Sequence, residues 1–141
     1  MKTTHNHFAY RELFLHIRDL VAEAYVASGG KKPNSVHFPP MSVACEYLGV
    51  ISCKDATKYP SSIVYNDDLK NRMENKLAGT IGQHTGPDNF VIGGCAEQVA
   101  ANDVMRKINV PNISDHTFTE AFQPRTMKMK DWCYNCHLVF D

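Results

Sequence analysis

Apolar residues recur at three- and four-residue steps near the start of the chain: Phe8, Leu13, Phe14, Ile17, Leu20, Val21, Ala24 and Tyr25. Arg11, Glu12, Arg18, Asp19 and Glu23 take the opposite face, and Gly29-Gly30 ends the run. This spacing predicts an amphipathic helix over 8–28, packed on a sheet. His5 and His7, ahead of it, read as a frayed terminus. Pro33, Asn34 and Pro39-Pro40 make 30–41 a loop. Residues 42–54 carry β-branched and aromatic side chains around Gly49 and predict a hairpin or two short strands. Cys45 and Cys53 fall there, as buried thiols behaving like small hydrophobes. After an irregular stretch over 55–66, Asp67 or Asp68 is expected to cap a short helix to about Leu77, with Leu69, Met73 and Leu77 in register. A glycine-rich loop over 78–94, containing Pro87-Asp88, is long enough to carry function. Ala96, Val99, Ala100, Val104 and Ile108 then predict a second main helix over 95–108, between Gly93-Gly94 and Asn109-Val110-Pro111. Residues 115–123 alternate, with His116, Phe118, Glu120 and Phe122 against Thr117, Thr119 and Ala121, and predict a strand buried on at least one face. A loop over 123–131 leads to Trp132 and to Cys133-Tyr134-Asn135-Cys136, expected at a strand-to-helix turn.

These elements describe one α/β domain over 1–141, a small mixed β-sheet flanked by helices. The N-terminal helix lies within 1–30 and the chemistry-bearing core spans 42–141. No repeat, low-complexity tract or linker divides it. Its 141 residues, 43% of them hydrophobic and 21% charged, suffice for a single core. No run of 18 apolar residues occurs, so no membrane-spanning helix and no membrane partner are expected. The first residues lead into an amphipathic segment, which argues against an uncleaved signal peptide; a mature domain released from a precursor would look the same. Fifteen basic residues balance fifteen acidic ones for a net charge of zero. That weakens a case for tight nucleic-acid binding, which rests on phosphate neutralisation, while leaving room for a locally basic groove.

The chemistry gathers on two short stretches. Cys95 and Glu97 fall in the first turn of the second main helix, where free amides and the helix dipole favour a thiolate. Cys133 and Cys136 add two more thiols. Catalytic zinc takes three protein ligands and keeps a fourth position for water; Cys95, Cys133 and Cys136 make three. Glu97, two residues beyond a ligand, is placed to take a proton from the activated water. Five cysteines, two of them in a Cys-x-x-Cys, do not resemble a disulfide framework. Two other readings stay open: a redox pair at Cys133 and Cys136, and a structural zinc site completed by Cys53, His116 or His137. Around the motifs, His84 and Asn89 could reach substrate, Trp132, Tyr134 and Phe90 could sandwich a base, and Arg125, Lys128 and Lys130 could meet phosphate. Loop solvation and core packing are the bland alternatives.

Cys95-Ala96-Glu97 with Cys133-x-x-Cys136 resembles the paired motifs of the zinc-dependent, cytidine deaminase-like superfamily. Within it the chain is most similar to the compact deaminases of bacterial polymorphic toxins, the YwqJ-like group. The features shared with that group are Asn66-Asp67-Asp68-Leu69-Lys70-Asn71-Arg72, resembling a Leu-x-x-Arg helix, Gly94 before the first motif, Ala101-Asn102 behind it, and Asn135 inside the second. The resemblance covers about residues 42–140. It implies a three-layer cytidine deaminase-like fold, Zn²⁺ on Cys95, Cys133 and Cys136, Glu97 as proton shuttle, and zinc-bound hydroxide as nucleophile. Ala96, beside the ligand, would contact substrate. It further implies hydrolytic conversion of cytosine to uracil in DNA or RNA, an immunity protein as possible partner, and a cytoplasmic site of action, reached by delivery into a target cell if the domain is secreted. Deamination of free nucleosides, nucleotides or small amines is the alternative, and a non-catalytic zinc-stabilised binding module the third. Two departures stand out: Trp132 occupies a place where the wider family has proline, and only five residues follow Cys136, which counts against a nucleoside-salvage enzyme.

Overall fold

The computed structural model describes residues 1–87 and 89–141; Asp88 of the glycine-rich loop lies outside them. In chain order the elements are β1 (Lys2–Thr3), α1 (His7–Ala27), β2 (Ser42–Tyr47), β3 (Val50–Asp55), α2 (Asp67–Leu77), β4 (His84–Thr85), β5 (Phe90–Val91), α3 (Ala96–Lys107), β6 (Thr117–Phe118), β7 (Ala121–Phe122), β8 (Met129–Lys130) and α4 (Tyr134–Phe140). β2 is the centre of a six-stranded mixed sheet. β3 pairs with it along one edge, β6 and β7 along the other, β1 lies parallel to β6, and β8 closes on β7. The α/β class expected from the sequence is what the chain adopts.

Side chains alternate across β2 and give each face of the sheet its own core. Val43 and Cys45 point to one face, where they join Leu69, Met73, Ala100, Val104 and Val139 of α2, α3 and α4. Ala44 points to the other, against Ala9, Leu13 and Ile17 of α1. Helices therefore cover both faces, in three layers. Leu48 and Gly49, both at positive φ, close the β2–β3 turn in two residues, as right-twisted strands favour.

Four expectations change. Phe8, Phe14, Val21 and Tyr25 are 63%, 43%, 46% and 56% exposed. α1 meets only a narrow strip of sheet, and the buried stripe reduces to Ala9, Leu13, Ile17 and Ala24. The N-terminus is paired rather than frayed: Lys2 and Thr3 align with Thr117 and Phe118, and His7 begins α1. The α2 cap is Asn66, whose side chain accepts from the N–H groups of Asp68 and Leu69 at 3.0 and 3.2 Å, leaving Asp67 and Asp68 inside the first turn.

The fourth is the strand at 115–123, which is broken. Cys45 pairs with Phe118 but Ser42 with Phe122, so a four-residue step faces a three-residue one. The extra residue is a bulge at Thr119-Glu120. The Thr119 hydroxyl accepts the Ala44 N–H at 3.0 Å, while the Thr119 N–H donates to the Ala44 carbonyl at 2.9 Å. Past the bulge the facing reverses, so Phe118 joins the α3 core and Phe122 packs on the α1 side. Unbroken alternation had put both on one face.

Polar contacts fasten α1 to the sheet: the Tyr10 hydroxyl donates to Glu120 at the bulge, and His16 meets Asp55 of β3. His16 Nε2 lies 2.9 Å from Asp55 Oδ1, and both groups are about three-quarters buried. The hydrogen bond that the imidazole donates to the Asp55 carboxylate raises the His16 pKa, against the opposing effect of burial. A histidine raised in the folded state contributes stability in full below its unfolded value and loses it as pH climbs through the folded one. Urea unfolding of the native chain and of His16→Gln should therefore differ by about 0.5–1 kcal/mol below about pH 6. The gap should narrow as the pH rises above that; a gap that widens would contradict the ion pair.

Candidate metal centre

Two tight turns bring the sulfurs together. Before α3, Gly93 sits at φ +83°, its N–H donating to Gln98 Oε1 at 2.8 Å and its carbonyl accepting from the Tyr65 hydroxyl. The next residue meets the loop after β3: Thr57 N–H donates to the Gly94 carbonyl at 2.8 Å. A Cβ at position 94 would lie 2.6 Å from the Thr57 carbonyl oxygen, so only glycine fits. Cys95 follows as the N-cap of α3 with its side chain free of any capping bond. On the other side, Trp132 donates its indole N–H to the Thr119 carbonyl at 3.2 Å, which ties the approach to α4 onto the bulge. Cys133 is the N-cap of α4 and accepts the Cys136 N–H at 3.4 Å. Arg72 of α2 grips the far end of α4 through the Val139 and Asp141 carbonyls. This gives the arginine of the Leu69-x-x-Arg72 pattern a positioning task.

Cys95 Sγ and Cys133 Sγ are 3.2 Å apart, and Cys133 Sγ and Cys136 Sγ are 3.3 Å apart. All three lie within 4.8 Å of one another and could hold a metal ion. Tetrahedral zinc with thiolates at about 2.3 Å sets sulfurs about 3.8 Å apart, so seating it asks the two close pairs to part by about half an ångström. Without a cation the three share charge unequally. Hydrogen bonds from Cys136 and Cys95, reinforced by the Cys136 and Asn135 amides, hold Cys133 far below the usual thiol range. Cys95 is pushed up, first by its bond to Cys133, and Cys136 by burial. A thiolate hydrogen-bonded by two thiols suits a divalent cation, whose charge displaces the remaining protons.

Glu97 is 4% exposed, with Oε2 3.6 Å from the Cys136 sulfur. Burial pushes its carboxyl up to about 7 and the Cys133 thiolate adds to this, while its own amide and the Cys136 thiol pull it back. The three candidates for completing a structural site lie elsewhere. Cys53 packs against the α1 core, His116 is enclosed near Tyr47, Phe118 and Phe140, and His137 faces Asp141 on the surface. Among the described residues no fourth thiol or imidazole joins the three sulfurs, and the nearest carboxylate is that of Glu97, against Cys136.

The cluster forms one end of a cleft of about 480 Å³. Cys95, Ala96, Glu97 and Cys133 line it, facing Phe90 and Val91 of the glycine-rich loop, Thr57 and Lys58 after β3, and Lys130, Asp131, Trp132 and Tyr134. Phe90 and Tyr134 are 44% and 50% exposed, so both rings are available to a ligand. Trp132 is a wall, its ring edge-on to Phe118 at 6.3 Å. His84 and Asn89 bond each other across the β4–β5 turn, Nδ1 to carbonyl at 2.9 Å, and do not line the cleft. Buried Asn135 ties α4 to that hairpin through the Thr85 carbonyl at 3.4 Å. Thr57, Lys58 and Ala121 went unnoticed in the sequence: the first two arrive through the contact with Gly94, the third through the bulge, and neither leaves a local pattern.

No protein-family model, curated protein or solved structure matches the chain.

Purified protein should carry about one zinc per chain after dialysis. Cys133→Ser should lose it while keeping its far-ultraviolet circular dichroism, as metal analysis would reveal. Full zinc retention in the variant would place the metal elsewhere.

Proposed function

We propose that the chain is a zinc-dependent hydrolytic deaminase converting cytosine to uracil in nucleic acid, with water consumed and ammonia released. One observation carries it: three thiols with no fourth thiol or imidazole among the described residues, beside a buried carboxylate, at the end of an aromatic-walled cleft. A structural zinc site satisfies four protein ligands and has no use for Glu97. Cys95, Cys133 and Cys136 would hold the metal, which when bound lowers the pKa of water and makes it a nucleophile at neutral pH. The remaining work falls to the chain. Glu97 Oε2 accepts a proton from the attacking water and returns it to the departing amine. Phe90 and Tyr134 line the largely apolar cleft in which a base would sit, and the burial of Glu97 keeps bulk water from competing for the proton. The resemblance to toxin-type deaminases supports a delivered effector that acts in a target-cell cytoplasm and is neutralised by an immunity partner. Among the described residues no helix is long and apolar enough to cross a membrane.

Zero net charge favours a second reading, a deaminase of free nucleosides or nucleotides. Ammonia release and uracil formation on single-stranded DNA, double-stranded DNA, RNA and cytidine separate the two. Glu97→Ala should lower the rate about 10²- to 10⁴-fold with zinc still bound. Equal rates in variant and native protein would overturn the mechanism.

A further inference from the structure

The cleft above Cys95 and Cys133 shares its outer wall with a second one. Beyond the strap 130–134 lies a cleft of about 850 Å³ that reaches Glu120, Met129 and His137. Lys130, Asp131, Trp132 and Tyr134 line both. Two apolar surfaces face solvent along this strap: Tyr134, 50% exposed, and Met129, 61% exposed. Lys130 is exposed between them and joins no ion pair among the described residues.

Resting on the deaminase reading above, we infer that the second cleft holds the nucleotide joined to the reactive one, so that the substrate is a single strand of nucleic acid. The shared wall is what a polymer needs and a free nucleoside does not. With the reactive base beside Glu97, its neighbour lies across the strap, where Tyr134 and Met129 offer a stacking surface. The phosphate linking the two must cross the strap, where it meets the Lys130 ammonium. Both bases are unpaired in that path, so a duplex binds only after it opens. Charge sets the strength. Glu120, already accepting from Tyr10 at 2.5 Å, and Asp131 also line the second cleft, so only about one phosphate is neutralised, giving a salt slope near −0.7 for a single strand. Stacking dominates, which reconciles a nucleic-acid substrate with zero net charge.

The test is binding by zinc-loaded Glu97→Gln, which leaves the strand intact. A fluorescent deoxytetranucleotide with one internal cytosine would be titrated at several salt concentrations, with dCMP and the same sequence as a duplex in competition. The single strand should bind at least about tenfold more tightly than either, with a shallow salt slope. Met129→Asp, at a residue that lines the second cleft and not the first, should erase most of the preference over dCMP; a purely structural role would weaken both ligands alike. Equal affinity for strand and dCMP, or for strand and duplex, would overturn the inference. Ammonia from cytidine alongside such equality would leave the deaminase reading standing, whereas no ammonia from any substrate would overturn both.

Discussion

Sulfur-to-sulfur contact between residues 38 positions apart is the constraint on which this structure turns: Cys95 and Cys133 cap different helices, yet their sulfurs lie 3.2 Å apart. Neither cap can shift without parting them, and ties on every side resist that shift. Thr57 and Tyr65 hold the turn before α3, while Trp132 and Arg72 hold the two ends of the segment bearing α4. These are hydrogen bonds to backbone carbonyls, which fix position more sharply than apolar packing does. Three sulfurs forced together in a metal-free chain are costly, because burial disfavours thiolates and proximity disfavours more than one charge. A divalent cation offsets both.

α3 answers to the same constraint. Most of it is buried, packed on β2 and β3, yet it carries Glu97, Gln98 and Asn102 in that interior. Burying polar groups costs free energy unless they are bonded. Gln98 accepts from Gly93, and Asn102 binds the Asn66 amide and the Val64 carbonyl at 2.7 and 3.0 Å. Both therefore work as bolts on the loops leading to α2 and α3. Glu97 alone has a thiol as its side-chain partner and stands beside the cleft. The interior polarity of α3 is divided between holding the site and furnishing it.

The periodic elements were legible in the sequence because local spacing sets them: the two long helices, the β2–β3 hairpin, and the stripe Leu69, Met73 and Leu77, buried as expected. The three cysteines and Glu97 were legible as residue types at known spacings. What stayed hidden was tertiary. No pattern marks Thr57 and Lys58 as cleft residues, since a contact with Gly94 brings them there. The bulge at Thr119-Glu120 moves Phe122 to the opposite face and aims Ala121 at the cleft. His84 and Asn89 looked accessible to substrate but bond to one another instead, while Phe90 beside them, open to either base stacking or core packing on sequence, faces the opening.

Everything proposed depends on the metal keeping one position free of protein. X-ray absorption at the zinc edge of the loaded protein reads that directly. Three sulfur scatterers at about 2.3 Å and one oxygen at about 2.0 Å are expected, unchanged in loaded Glu97→Ala, so that the oxygen is water and not the carboxylate. Four sulfurs, or three sulfurs and an imidazole, would show a closed structural site and contradict it.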